Sequence, residues 1–142
     1  MSHDFTSQRI EDMDAAFSGA FKRAAAELGV DSFGLSVIDL PPDFDAYPEH
    51  DHLGDGQEEV YVALRGSGDV EIDGDTRLTL DADTMVRVGP VHRRRLLPGP
   101  AGLRVLTVGA VPGHPYRRPP FFELTAPDSA SRAGPPPQEE QA

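Results

Sequence analysis

From Glu58 the chain alternates: Val60, Val62 and Leu64 share one side of an extended segment, and Glu59, Tyr61, Ala63 and Arg65 share the other. A period of two is the mark of a half-buried strand, because successive side chains of an extended chain point to opposite faces. Gly66-Ser67-Gly68 punctuates that strand, and two short extended runs, 69–72 and 76–80, flank Asp73-Gly74. Aspartate followed by glycine signals a hairpin turn, whose two central positions must both take positive φ. Residues 33–40 (FGLSVIDL, closed by Pro41-Pro42), 84–88 (TMVRV) and 103–109 (LRVLTVG) read as further strands. Short strands separated by Gly, Pro and Asp turns, with no helix between them, predict an all-β antiparallel sandwich or small barrel.

Ahead of the strands, Ile10, Met13, Phe17, Phe21, Ala24 and Leu28 recur at steps of three and four. That stripe, with acids early and Lys22 and Arg23 late, predicts an amphipathic helix over about 9–28, stopped by Gly29. A helix of that length is marginal alone, so its stripe must pack on a sheet face in the same protomer or a partner. Residues 1–30 thus form a helical segment and 31–125 the β-barrel. The remainder, 126–142, holds Pro135-Pro136-Pro137 and little that is apolar, which predicts disorder. At 142 residues the chain suits one domain with a modest core. An amphipathic helix beside apolar sheet faces leaves more apolar surface than one small domain hides, which predicts a two-fold homodimer.

A net charge of −11 argues against a nucleic-acid partner. No segment resembles a signal peptide or a membrane span, so no membrane partner and a cytoplasmic location are expected. The charge is unevenly spread. Seven acids and no Lys or Arg lie between Pro41 and Val60, whereas five arginines and no acid lie from Arg87 to Arg104. Two readings fit: solvated loops of opposite sign, or an acidic rim that attracts a cation while Arg93, Arg94 or Arg95 orients an anionic group of a ligand.

The residues able to hold a cation are specific. His50 and His52, two apart, converge on one face of an extended segment, and Glu59 opens the strongest strand. Two imidazoles and a carboxylate suit a borderline divalent ion, and the absence of cysteine leaves only nitrogen and oxygen donors. Alternation selects Glu59 over Glu58, since Glu58 shares the face of Val60, Val62 and Leu64. His92, at the end of another strand, is a candidate fourth ligand. His3 and His114 read as surface polar residues, and Phe121-Phe122 as an apolar cap.

The stretch YPEHDH…EEVYVALRGSGDVEIDG resembles the first motif of the cupin superfamily. It has His-x-His, a spacer, a glutamate, six residues (VYVALR) and Gly66, followed by a hairpin. ADTMVRVGPVH resembles the second motif, ending at His92, and the two together span roughly 48–95. The resemblance, to small single-domain cupins of the cupin-2 type, implies a jelly-roll barrel and a metal held by His50, His52, Glu59 and His92. Two departures stand out. The spacer after His52 is six residues long and contains Gly54 and Gly56, and the approach to His92 is one residue shorter than the family pattern. A one-residue slip reverses a side chain's face.

Cupins include oxygenases, isomerases, decarboxylases, sensors and storage proteins, so fold alone does not choose a function. One expectation is a metal-dependent enzyme of oxygenase or isomerase type, using Zn, Fe, Mn or Ni, with Tyr61, Arg65 or Arg93 orienting a small-molecule substrate. The other is a non-catalytic module that binds, senses or stores a small molecule without a functional metal centre.

Overall fold

The computed structural model describes residues 4–131. Seven strands form one sheet among these residues: β1 (Ala15–Ala16), β2 (Phe21–Lys22), β3 (Gly34–Leu40), β4 (Glu58–Ile72), β5 (Thr76–Leu80), β6 (Val86–Val88) and β7 (Arg94–Ala110). Every pairing is antiparallel, in the order β1-β2-β3-β7-β4-β5, with β6 also on β4.

Strand β4 runs well past Arg65, to Ile72, but its alternation is broken where it bends at Gly66-Ser67-Gly68, with residues 64–67 all exposed. The β4–β7 register shifts between Ala63 and Arg65 and again between Gly66 and Gly68. Gly66 has φ 75°, and a Cβ on it would run into the carbonyl oxygen of Gly102. Only glycine lets the two backbones meet this closely at the corner. On one side of the bend Glu59, Val60 and Tyr61 pair with β6; on the other, residues 68–72 pair with β5. The two long strands therefore serve both halves of a jelly-roll barrel. Asp73 and Gly74, at φ 54° and 78°, make the expected hairpin turn.

Inward residues form the core: Tyr61, Val70, Leu80, Leu96, Leu103 and Val105 are all buried. Each apolar side chain so buried contributes roughly 1.5–3 kcal/mol of transfer free energy. Val60, Val62 and Leu64 face outward, and Leu64 is 45% exposed.

The N-terminal segment corrects the sequence expectation. In place of one helix over 9–28 there is a 3-10 turn (Ile10–Asp12), the β1–β2 hairpin, and a single helix, α1 (Ala24–Leu28). Phe17, Ser18 and Gly19 take φ of 54°, 57° and 93°, which no α-helix accommodates. The competing force is the open edge of β3. Phe21 and Lys22 pair with Ile38 and Val37, and Asp39 N–H donates to the Ala20 carbonyl at 2.8 Å. An edge strand's unpaired backbone groups are satisfied this way, whereas a lone helix must bear its own nucleation cost. The stripe is still buried, but divided: Met13 and Ala24 pack on Val37, while Phe17 packs with Phe121. Gly29, at φ 80°, does end the helix.

Arg23, 2% exposed, ties this hairpin to the C-terminal segment. It donates to Asp14 (2.7 Å) and to the carbonyls of Phe121 (2.8 Å) and Ala126 (2.7 Å). Of the segment expected to be disordered, residues 126–131 are described, and Asp128 accepts the Phe17 N–H at 3.2 Å. Residues 132–142, with Pro135-Pro136-Pro137, lie outside the described residues, as does His3. No helix among the described residues is long and apolar enough to cross a membrane.

Candidate metal centre

The segment before β4 is extended and anchored on β7. His50 and Arg94 exchange backbone hydrogen bonds of 3.0 and 2.8 Å, and His52 N–H donates to the Pro90 carbonyl at 3.0 Å. Two residues apart in such a segment, the imidazoles point the same way, with ring centroids 5.2 Å apart. Glu59 comes to them from β4, opposite Gly109 on β7. A Cβ at Gly109 would lie 2.7 Å from Gln57 Oε1 and 3.2 Å from Glu59 Cγ, so glycine leaves the space the carboxylate occupies. One donor atom each from His50, His52 and Glu59 falls within 4.8 Å of the others. Glu58 points outward and pairs with Arg87 at 2.9 Å, as alternation requires.

Polar partners orient the three residues. Asp55 accepts from His52 Nδ1 at 3.0 Å and is itself held by the Gln57 backbone and amide. That presents Nε2 to the interior, as an outer carboxylate does for a metal-binding histidine. His52 Nε2 lies 3.2 Å from Glu59 Oε1, an ion-pair contact when the ring is protonated, and is buried without a hydrogen bond. The same Oε1 accepts from the Tyr61 hydroxyl (2.6 Å) and from Arg94 Nη1 (2.9 Å).

The charges follow from this packing. Burial works to raise the Glu59 pKa, but the neighbouring His52 ring at 3.2 Å and the Tyr61 hydroxyl outweigh it and hold the carboxyl at about 2. Burial pushes His50 below the ordinary histidine value. Burial opposes charge on His52 as well, but Glu59 and Asp55 prevail and raise it. Burial pushes the Tyr61 hydroxyl up, so it remains a donor. A buried imidazole nitrogen lacking a partner, beside a second imidazole and a carboxylate, fits a divalent ion.

Of the other residues expected at the site, Tyr61 is there and three are not. His92 is exposed and bonded through Nδ1 to Asp73 at 2.7 Å. It lies in the turn before β7, where strand alternation has not begun, and the neighbouring hairpin supplies a carboxylate that captures it. The first inward residue of β7 is Arg94, whose side chain is wholly buried. Arg93 is exposed and faces Glu49 (3.6 Å) and Asp73 (3.9 Å). Arg65 is exposed beside the corner, against Gly102 and Arg104 rather than the site. Arg94 shares the parity of buried Leu96, a signal that could have singled it out from its neighbours. Asp55 and Gln57 carried no such signal, because the spacer has no periodicity.

The donor atoms open onto a cavity of about 600 Å³. His50, His52, Glu59 and Tyr61 are among its polar lining residues, and Phe17, Phe21, Phe121 and Phe122 among its apolar ones. Phe121-Phe122 does cap an apolar surface: its rings meet Phe21 at centroid distances of 5.0 and 5.4 Å.

No family model and no curated protein matches the chain. Solved structures do. A cupin protein from Bacteroides fragilis is similar at a TM-score of 0.64 and 19% identity, over 82% of this chain and 92% of that one. An uncharacterised conserved protein with a double-stranded β-helix domain, from Klebsiella pneumoniae, is similar at 0.51 and 16% identity, over 61% and 72%. The chain has the cupin fold.

Proposed function

We propose that this cupin-fold chain holds a divalent transition ion through His50, His52 and Glu59 and binds a small molecule in the adjoining cavity. The observation that carries the reading is the buried, unbonded Nε2 of His52, 3.2 Å from Glu59 and within 4.8 Å of the His50 donor. The nitrogen-oxygen set suits Zn, Fe, Mn and Ni alike. Three protein ligands leave positions open to water or a ligand, and the bound ion supplies a Lewis-acid or oxygen-activating centre. Oxygenase or isomerase chemistry is the catalytic form of this reading. In it Asp55 orients His52, while Tyr61 and Arg94 hold Glu59 in place through Oε1. Imidazole binds an ion only when neutral, so affinity falls with pH. A homodimer in the cytoplasm, through the outer face of β4, belongs to the same proposal.

A second reading, a metal-free binding or sensing module, draws on one observation: Arg94 already balances the Glu59 charge at 2.9 Å. Metal analysis of the purified chain and of His50→Ala/His52→Ala decides between them. Stoichiometric ion in the first and none in the second, with unchanged circular dichroism, is the expected result. Equal metal in both would place the ion elsewhere, and none in either would favour the second reading.

A further inference from the structure

Strands β3 and β7 present two neighbouring rows of residues to the cavity. Gly34 pairs with Gly109, and two positions along, on the same face, Ser36 pairs with Thr107. All four line the cavity. The glycines leave room for polar atoms. A Cβ at Gly34 would lie 2.9 Å from the Tyr116 hydroxyl, and one at Gly109 would lie 2.7 Å from Gln57 Oε1. Directly paired residues stand about 4.5–5.5 Å apart at Cβ, so these two oxygens sit over adjacent places on the sheet.

The Ser36, Thr107 and Tyr116 hydroxyls and Gln57 Oε1 have no hydrogen-bond partner among the described residues. Ser36, Thr107 and Gln57 are only 2%, 7% and 5% exposed. Polar groups buried this far are normally satisfied, and here the open side is the cavity. The Gln57 amide nitrogen donates to Asp55 at 3.0 Å, which fixes the amide and leaves Oε1 over Gly109. Burial pushes the Tyr116 hydroxyl up, so it stays a donor.

Hydroxyls donate and accept, but an amide oxygen only accepts. A ketone or an ether therefore leaves Gln57 unmatched, whereas an alcohol serves it and the hydroxyls alike. The two rows lie about 6.6 Å apart along the strands, and a ligand serving both carries two hydroxyls. Its apolar body has a place among the phenylalanines of the lining, where Phe21 meets Phe121 and Phe122 at 5.0 and 5.4 Å. Arg93, Arg94 and Arg95, expected from the sequence to orient a ligand, are not among the lining residues.

We infer that the cavity takes a small diol with an apolar body, whose hydroxyls bond Ser36, Thr107, Tyr116 and Gln57. This deepens the small-molecule site proposed above and rests on it. An ion at the histidines is compatible with it, since an alcohol oxygen also suits an open coordination position.

Styrene glycol, α-hydroxyacetophenone and propiophenone share a phenyl ring and nearly one shape, and carry two, one and no hydroxyls. Calorimetric titration of each into the full-length chain, as purified and as His50→Ala/His52→Ala, tests the inference. The diol should bind at least about tenfold more tightly than propiophenone, a difference of about 1.4 kcal/mol, with the hydroxyketone between them, in both proteins. Ser36→Ala/Thr107→Val and, separately, Tyr116→Phe should each narrow that gap at least about threefold while propiophenone binds as before, circular dichroism being unchanged. The inference is overturned if propiophenone binds as well as the diol, if the gap survives in both variants, or if none of the three binds at millimolar concentration. Metal analysis of the same samples separates it from the ion. A preference for the diol with no metal in any sample sinks the metal reading and leaves this one standing, and stoichiometric metal without the preference does the reverse.

Discussion

Arg94 Nη1 lies 2.9 Å from Glu59 Oε1, and no part of the arginine side chain reaches solvent. A buried guanidinium thus braces the carboxylate from behind, while the histidines face it from the cavity. Removing one member of a buried pair leaves the other uncompensated, which costs about 3–5 kcal/mol. Arg94→Met should lower the unfolding free energy by about that amount in urea titration, with Glu59→Gln/Arg94→Met recovering part of it. If Arg94→Met unfolds at the wild-type midpoint, the brace is not a structural element.

Asp55 acts on the site through His52. Its carboxylate fixes the Nδ1 side of the ring at 3.0 Å and so turns Nε2 toward the cavity. Asp55→Ala should weaken zinc binding by about 10–100-fold while circular dichroism and thermal midpoint stay near wild type. Unchanged zinc affinity would show that His52 needs no outer partner.

Asp39 anchors β2 to β3 and carries the acid sensitivity of the N-terminal hairpin. Burial works to raise its pKa, but Arg104 (2.7 Å) and Lys22 (2.9 Å) outweigh burial and hold it below the ordinary value of 3.8. A depressed carboxylate pKa stabilises the folded state above the unfolded value, and that contribution is lost as pH falls through the folded one. The stability gap between wild type and Asp39→Asn should therefore be full at neutral pH and close below 3.8. A gap that widens in acid would contradict the pairing.

The proposed homodimer has less apolar surface to draw on than the sequence suggested, because much of the supposed helical stripe is buried within the chain. The surface proposed for it is the outer face of β4 and its surroundings, where Leu64 is 45% and Met85 70% exposed, among other exposed apolar side chains. Sedimentation should give twice the 15.3 kDa chain mass, and Leu64→Glu should return the single mass. A wild-type chain sedimenting at 15.3 kDa at micromolar concentration would remove the dimer from the proposal.

Parity along β4 was legible in the sequence because it is local. Each residue's face follows from its neighbour's, so Glu59 and Tyr61 could be turned inward and Glu58 outward with no knowledge of the fold. The Asp73-Gly74 turn was legible for the same reason, being a matter of φ at two adjacent positions. His50 and His52 needed only an extended backbone between them. Other outcomes turned on partners far along the chain. Met13, Phe17, Phe21 and Ala24 satisfy a helical spacing, and nothing local refuses it. The open edge of β3, joined through Phe21 and Ile38, drew the segment into a hairpin. His92 lost its place in the site to a carboxylate 19 residues away, and Arg94 took the inward position where β7 begins. Local periodicity determines which way a side chain points within an element. Where elements start, and which buried charges they must balance, depends on hydrogen bonds and ion pairs that exist only once distant segments have met.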